Sequence, residues 1–207
     1  FAANENTIAE LTTAVMESQA PSWFDFFPDH FDLELAKAGE NHFKRVCSGC
    51  HGHYEKNWHD QSSGDLKMLT RTIAVDYGPE TIALDVGTDT HRSEGIRFLA
   101  AGLNNLKISQ THGAKTEYTG GYVPQPLVGI WARWPYFHNN SAATLCEVLT
   151  PSEQRRKRFY VVPADDPDRD LDPQCVGLPH PDSLPKELKK KKFLFDTKIK
   201  GLSNRGQ

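Results

Sequence analysis

Long apolar runs are missing from this 207-residue sequence. No stretch approaches the ~20 apolar residues that a membrane-spanning helix needs. Sulfur is scarce as well, with four cysteines and two methionines. No charge dominates: 24 Lys and Arg stand against 27 Asp and Glu, a formal net charge of −3. Such a balance leaves no electrostatic footprint for nucleic acid. No charged-then-apolar leader opens the chain, so any secretory signal is expected to have been removed. Thirteen Pro and 15 Gly make it rich in loops. At this length it can bury a sizeable interior without needing two separate domains.

Two of the four cysteines carry the main signal. Cys47, Cys50 and His51 form C-x-x-C-H, the spacing that attaches a c-type haem. Two thiols three positions apart on one turn can each add to a vinyl group of the same porphyrin. The imidazole next to the second thiol then lies beneath the iron as an axial ligand. A zinc ribbon would need a second pair, and Cys146 and Cys175 are far apart. A thioredoxin-like pair would want a preceding strand and no obligatory His.

The residues before the motif agree with it. Leu35, Gly39, Phe43 and Val46 recur at three- and four-residue steps and share one face of a helix running into Cys47. Asp32 is its expected N-cap. Gly39 would let another helix approach, and Phe43 would cover the haem edge. The stretch from Ala38 to Gly52 resembles the N-terminal helix and haem site of class I cytochromes c. In bacteria this attachment takes place outside the cytoplasm, which implies the periplasm or the cell surface. In that oxidising compartment Cys146 and Cys175 are expected to pair, the alternative being two free thiols.

Elsewhere the pattern is weaker. Ile8, Leu11, Val15 and Met16 predict an amphipathic helix over 5–18, closed by Ala20-Pro21. Trp23 to Pro28 is an aromatic knot, read either as core packing or as a wall over the haem. Residues 52–65 read as loop and include His53 and His59. Ile96, Leu99, Ala100, Leu103 and Leu106 predict a helix over 92–109, capped by Ser93 and packed on the haem or on the helix ending at Cys47. His112 falls in a polar stretch with no predicted element. Ser141 is expected to open a helix through Leu145, Val148 and Leu149. Residues 163–173 read as an exposed acidic loop. The run Lys189-Lys190-Lys191-Lys192 is either a solvated surface or a docking patch for an acidic redox partner.

The second informative stretch is Pro126-Leu127-Val128-Gly129-Ile130-Trp131-Ala132, followed by Pro135-Tyr136-Phe137-His138-Asn139-Asn140-Ser141 and Thr144-Leu145. It resembles a segment of the dihaem cytochrome c peroxidase superfamily, and within it the branch of the bacterial rubber oxygenases. Pro151-Ser152-Glu153-Gln154, Phe159-Tyr160-Val161, Phe195-Asp196-Thr197 and Gly201-Leu202-Ser203-Asn204-Arg205-Gly206 extend the likeness. It covers roughly residues 36–207, with weak patches between. Three departures stand out. The chain has one haem motif where the family has two, so it looks like the C-terminal haem half or a single-haem relative. Gln207 stands where the branch places a His expected to be the distal ligand. The closing helix of a class I core is absent, which makes a fragment or subunit of a larger protein an open reading.

The sixth iron position therefore stays open among His138, Met68, His112, a residue beyond Gln207, water, or none. The resemblance implies that His138 lines the haem pocket. Trp131 and Tyr136 are candidate pocket aromatics whose N–H and O–H could reach haem propionates, or else plain core. Arg133 could pair with a propionate bidentately. The expected fold is mainly α: a class I cytochrome c-like helical core around one covalent haem, with long irregular insertions. Residues 1–32 form an N-terminal helix and aromatic loop extension; 33–207 form the haem domain with a loop-rich C-terminal part. Three functions are carried forward: electron transfer as a carrier or relay domain, a peroxidase- or oxygenase-like enzyme with an open distal site, and a haem sensor. No catalytic constellation beyond the haem is visible, and electron transfer is preferred.

Overall fold

A computed structural model describes residues 4–60, 64–78 and 82–205. Gly206 and Gln207, the latter at the expected distal-ligand position, lie outside the described residues. Helix α1 spans Glu5–Glu17 and is capped by Asn4, whose side chain accepts the Thr7 N–H at 3.2 Å. It buries no residue, and Leu11, Val15 and Met16 stay exposed. Helix α2 spans Leu33–Val46 and starts as expected: Asp32 Oδ1 accepts the Leu35 N–H at 2.9 Å. A single further turn, α3, covers Ser48–His51.

The segment after the motif is more ordered than its polar composition suggests. His53–Lys56 forms strand β1, which pairs antiparallel with β2 (Thr72–Asp76), His53 opposite Asp76. The reading of 52–65 as loop is thereby corrected. The strand is induced by a partner rich in β-branched residues, Thr72, Ile73 and Val75, lying well downstream. One short turn, α4 (Leu66–Leu69), sits in the connection, with Asp65 accepting the Lys67 N–H.

The helix predicted over 92–109 is two elements, α5 (His91–Asn104) and α6 (Lys107–Thr111). The break follows from Asn104, whose amide accepts the Thr116 N–H at 2.6 Å and donates to the Thr116 carbonyl at 2.9 Å. Such side chain–backbone bonds compete with helix propagation. Ser93 is not the cap: it sits in the first turn and its hydroxyl donates to the Thr90 carbonyl. The main element contact of α5 is with α6 rather than with α2.

Ser141 does not open a helix either. It is fully buried, and α7 is one turn, Leu145–Val148, capped by Thr144. Propagation is prevented because Leu145 N–H is drawn to the carbonyls of Cys175 and Val176, and Cys146 is tied to Cys175 by a disulfide with Cα atoms 5.2 Å apart. Strands β3 (Arg158–Tyr160) and β4 (Leu194–Asp196) pair antiparallel, with Phe159 opposite Phe195 and their rings stacked at 4.8 Å. Between them the acidic loop contains a turn, α8 (Pro167–Asp170). Asp170 is buried there, its carboxylate accepting the Asp165 and Asp166 N–H groups at 3.1 Å and two Arg169 N–H groups at 2.6 Å.

Among the described residues the architecture is helix-rich with two small two-stranded sheets. Its densest packing, Ala143, Phe159, Val162, Leu178 and Leu184, lies in the C-terminal half. The half carrying Cys47 holds few buried apolar side chains, Phe27 and Leu69 among them.

Candidate functional site

Cys47 joins two helical segments. Its N–H donates to the Phe43 carbonyl at 2.8 Å and closes α2, while its own carbonyl accepts the N–H groups of Cys50 and His51 at 3.1 and 3.0 Å. The two cysteines thus stand one turn apart, where i and i+3 side chains point to the same side. Both are free thiols, Cys47 half-buried and Cys50 exposed. The turn ends at Gly52, whose φ of +79° sends the chain straight into β1.

His51 Nδ1 lies 3.4 Å from the carbonyl oxygen of Gln125. A carbonyl only accepts, so this contact places the ring proton on Nδ1 and leaves the Nε2 lone pair for a metal. Ligating histidines are commonly oriented this way. Gln125 belongs to the irregular segment that the sequence marks with Pro124 and Pro126. Two side chains hold that segment. Tyr54 of β1 accepts the Leu127 N–H on its hydroxyl oxygen at 2.8 Å. Arg133 donates to the Pro126 carbonyl at 3.2 Å and to the Val128 carbonyl at 3.0 Å.

Phe43 stands beside the motif, half-buried and edge-on to Tyr54 with ring centroids 5.7 Å apart. Tyr54 in turn meets Tyr77, whose phenol is pushed up to about 12 by partial burial and by the Tyr54 hydroxyl. Neither tyrosine was singled out by sequence; an isolated aromatic in a four-residue strand gives no periodicity to read.

The other residues singled out by the sequence have protein partners of their own. Trp131 donates its indole N–H to the Pro21 carbonyl at 3.0 Å and packs against Trp23, Phe26 and Phe27. The aromatic knot therefore closes around Trp131. Tyr136 is buried, donates to the Val176 carbonyl at 3.1 Å, and burial drives its phenol far above the usual range. Trp131, Arg133 and Tyr136 thus spend polar groups on backbone carbonyls, where the sequence suggested propionates.

His138 differs. Its ring stacks on Tyr122 at 4.5 Å, and Nε2 is buried without a hydrogen-bond partner. Burial holds its imidazole below the ordinary range, against the opposing pull of Asp89. Tyr122 is itself fixed, donating to the Asp89 carbonyl at 2.9 Å, and Arg92 donates to the His138 carbonyl at 3.1 Å. Met68 lies in α4 and His112 just past α6. Among the described residues no group of three or more His, Cys, Asp and Glu could hold a metal ion.

The residues around Cys47 fit a haem. Two free thiols share one turn, and the next side chain is an imidazole with Nε2 free and Nδ1 engaged. A porphyrin supplies its own four nitrogens, so the iron asks the protein for axial ligands only.

The comparisons with known proteins follow the second informative stretch. The model of the family described as RoxA-like, cytochrome c-like matches residues 121–161. Over 232 aligned residues the chain is 39% identical to uncharacterized protein y4iJ of Sinorhizobium fredii (strain NBRC 101917 / NGR234), covering 90% of this chain and 36% of that protein. It is 27% identical over 135 residues to uncharacterized protein y4iM of the same strain, covering 60% and 30%. The chain spans about a third of the length of these curated relatives. No solved structure matches it significantly. The matched segment is cytochrome c-like, which implies haem c and suggests an electron-transfer role. No helix among the described residues is long and apolar enough to cross a membrane.

Proposed function

We propose that this chain is a c-type cytochrome unit that carries one covalent haem and transfers electrons in the periplasm or at the cell surface. It serves as a carrier or as the relay part of a larger oxidoreductase of the dihaem peroxidase kind. The observation that carries the reading is the pairing of His51 Nδ1 with the Gln125 carbonyl beside two free thiols. Cys47 and Cys50 would each form a thioether, and His51 Nε2 would be one axial ligand. Bound there, a haem supplies a one-electron centre. Phe43 shields one side of the attachment turn, while the exposure of Cys50 keeps a route for electrons short.

Lys186, Lys190, Lys191 and Lys192 are exposed and make no ion pair with a described residue. On this reading they are the docking patch for an acidic redox partner, since complementary charge speeds encounter.

A second reading rests on the unpartnered Nε2 of His138. A buried imidazole with a free nitrogen is suited to acid–base work at an open distal site, as a peroxidase- or oxygenase-like enzyme requires.

Absorption and EPR spectra of oxidised and reduced protein, with and without carbon monoxide, separate the two. Low-spin iron indifferent to carbon monoxide supports the relay. Rapid carbon monoxide binding to high-spin ferrous iron transfers the preference to the enzyme. Loss of all haem on acid denaturation of the wild-type protein would remove the covalent premise.

A further inference from the structure

The proposed proximal histidine is not held by its own helix alone. Its Nδ1 partner, the Gln125 carbonyl, sits between two prolines in a stretch with no regular structure, where nothing in the local backbone fixes a carbonyl's direction. The next three residues are gripped from both sides. The Leu127 N–H is taken by the Tyr54 hydroxyl at 2.8 Å, and Tyr54 is in β1, two residues beyond the Gly52 turn. The Pro126 and Val128 carbonyls are bridged by the Arg133 guanidinium at 3.2 and 3.0 Å. Gly129, in the left-handed region at φ +69°, returns the chain to Arg133 through the one-turn helix Ile130–Ala132. The guanidinium thus closes a loop of eight residues on itself, and Tyr54 pins that loop to the strand that leaves the haem motif.

We propose that Tyr54 and Arg133 are positioning residues that hold the Gln125 carbonyl against His51 and so set the electron donation of the proximal imidazole. The inference rests on the cytochrome reading above. A hydrogen bond from Nδ1–H to a fixed acceptor raises the basicity of Nε2, and a more basic axial ligand favours ferric over ferrous iron. Slackening the strap weakens that bond, so the midpoint potential rises. Tyr54→Phe keeps the ring contacts with Phe43 and Tyr77 and removes the acceptor for Leu127 together with the 3.4 Å hydroxyl contact to Tyr77, a loss that Tyr77→Phe reproduces by itself. Arg133→Gln removes the bridge between the two carbonyls; Arg133→Lys keeps the charge and reaches one carbonyl only.

The test is a redox titration and a proton NMR measurement of the His51 Nδ1–H in the reduced, haem-loaded wild type, Tyr54→Phe, Arg133→Gln and Arg133→Lys, with Tyr77→Phe as control. Expected are positive shifts in potential and an upfield shift of the Nδ1–H resonance in Tyr54→Phe and Arg133→Gln. Arg133→Lys should lie between, and the control should match the wild type. Unchanged potential and resonance in Tyr54→Phe and Arg133→Gln, with haem still attached, overturn the assignment while leaving the cytochrome reading intact. A wild-type protein without thioether-bound haem overturns both, and the pyridine haemochrome spectrum shows which has happened.

Discussion

Gly52 and Asp76 are in direct backbone contact: a Cβ at Gly52 would lie 2.6 Å from the Asp76 carbonyl oxygen and 2.8 Å from the Tyr77 ring. The close approach seats the β1–β2 hairpin immediately after His51. Gly52→Ala must both enter the left-handed region and displace a backbone carbonyl. A loss of about 1–3 kcal/mol is expected, read as a lower urea midpoint at unchanged m-value and, on the cytochrome reading, as a changed haem spectrum because His51 is its neighbour. An unchanged midpoint would show that the hairpin is free to move away.

The disulfide between Cys146 and Cys175 closes a separation of 29 residues in the half that holds the densest core. Constraining the unfolded chain over such a loop is worth roughly 3–4 kcal/mol. The double substitution Cys146→Ser with Cys175→Ser should lower stability by about that amount and, on the cytochrome reading, leave haem content intact. Equal stability of the two proteins in urea would mean that the carbonyls drawn onto Leu145 hold α7 alone.

His138 predicts a pH dependence. Burial, with Arg92 nearby, sets its folded pKa below the ordinary 6.5 despite Asp89. Between the two values the unfolded chain binds a proton that the folded chain refuses, so stability is full above pH 6.5 and falls as pH drops from 6.5 toward the folded value. His138→Gln should flatten that limb of a stability–pH curve while leaving the alkaline limb unchanged. A mutant curve parallel to the wild type across the window would remove His138 from the acid response.

Glu40 acts lower on the scale. Burial alone would raise its carboxyl, but hydrogen bonds from His59, Lys44 and Trp58 prevail and hold it below the ordinary 4.5. Its contribution is present above 4.5 and is lost as pH falls through the depressed folded value. Glu40→Gln should cost about 1 kcal/mol at neutral pH and remove the acid-induced loss at the middle of α2. Thermal melts at pH 7 and in mild acid compare the two directly.

Much of this was legible in the residues. C-x-x-C-H and the helical period from Leu35 to Val46 marked α2 and the turn after it, because both signals are local, but the face itself did not hold: Leu35 and Val46 stay largely exposed and no described residue packs against Gly39. Asp32 was recognised as a cap from an equally local signal. The β1–β2 hairpin was not, since His53–Lys56 becomes a strand only through Thr72–Asp76. The break at Asn104 depends on Thr116, and the short α7 on Cys175. The propionate contacts considered for Trp131, Arg133 and Tyr136, with plain core as the alternative for the two aromatics, came from residue type, which does not carry the direction of an N–H or O–H. All three turn out to donate to main-chain carbonyls. Gln125, which meets His51, and Tyr54, which holds the Leu127 N–H, had no signal: one contributes only its backbone and the other is a lone aromatic.

The cysteine pairs impose an order on how the protein is made. On the cytochrome reading proposed above, one chain must keep Cys47 and Cys50 reduced until thioethers form, yet oxidise Cys146 with Cys175. Thiols three residues apart are the faster pair to close, so an oxidant arriving first would trap the wrong sulfurs. On that reading maturation is a race, and the supply of reductant at Cys47 and Cys50 decides how much of the product holds its haem.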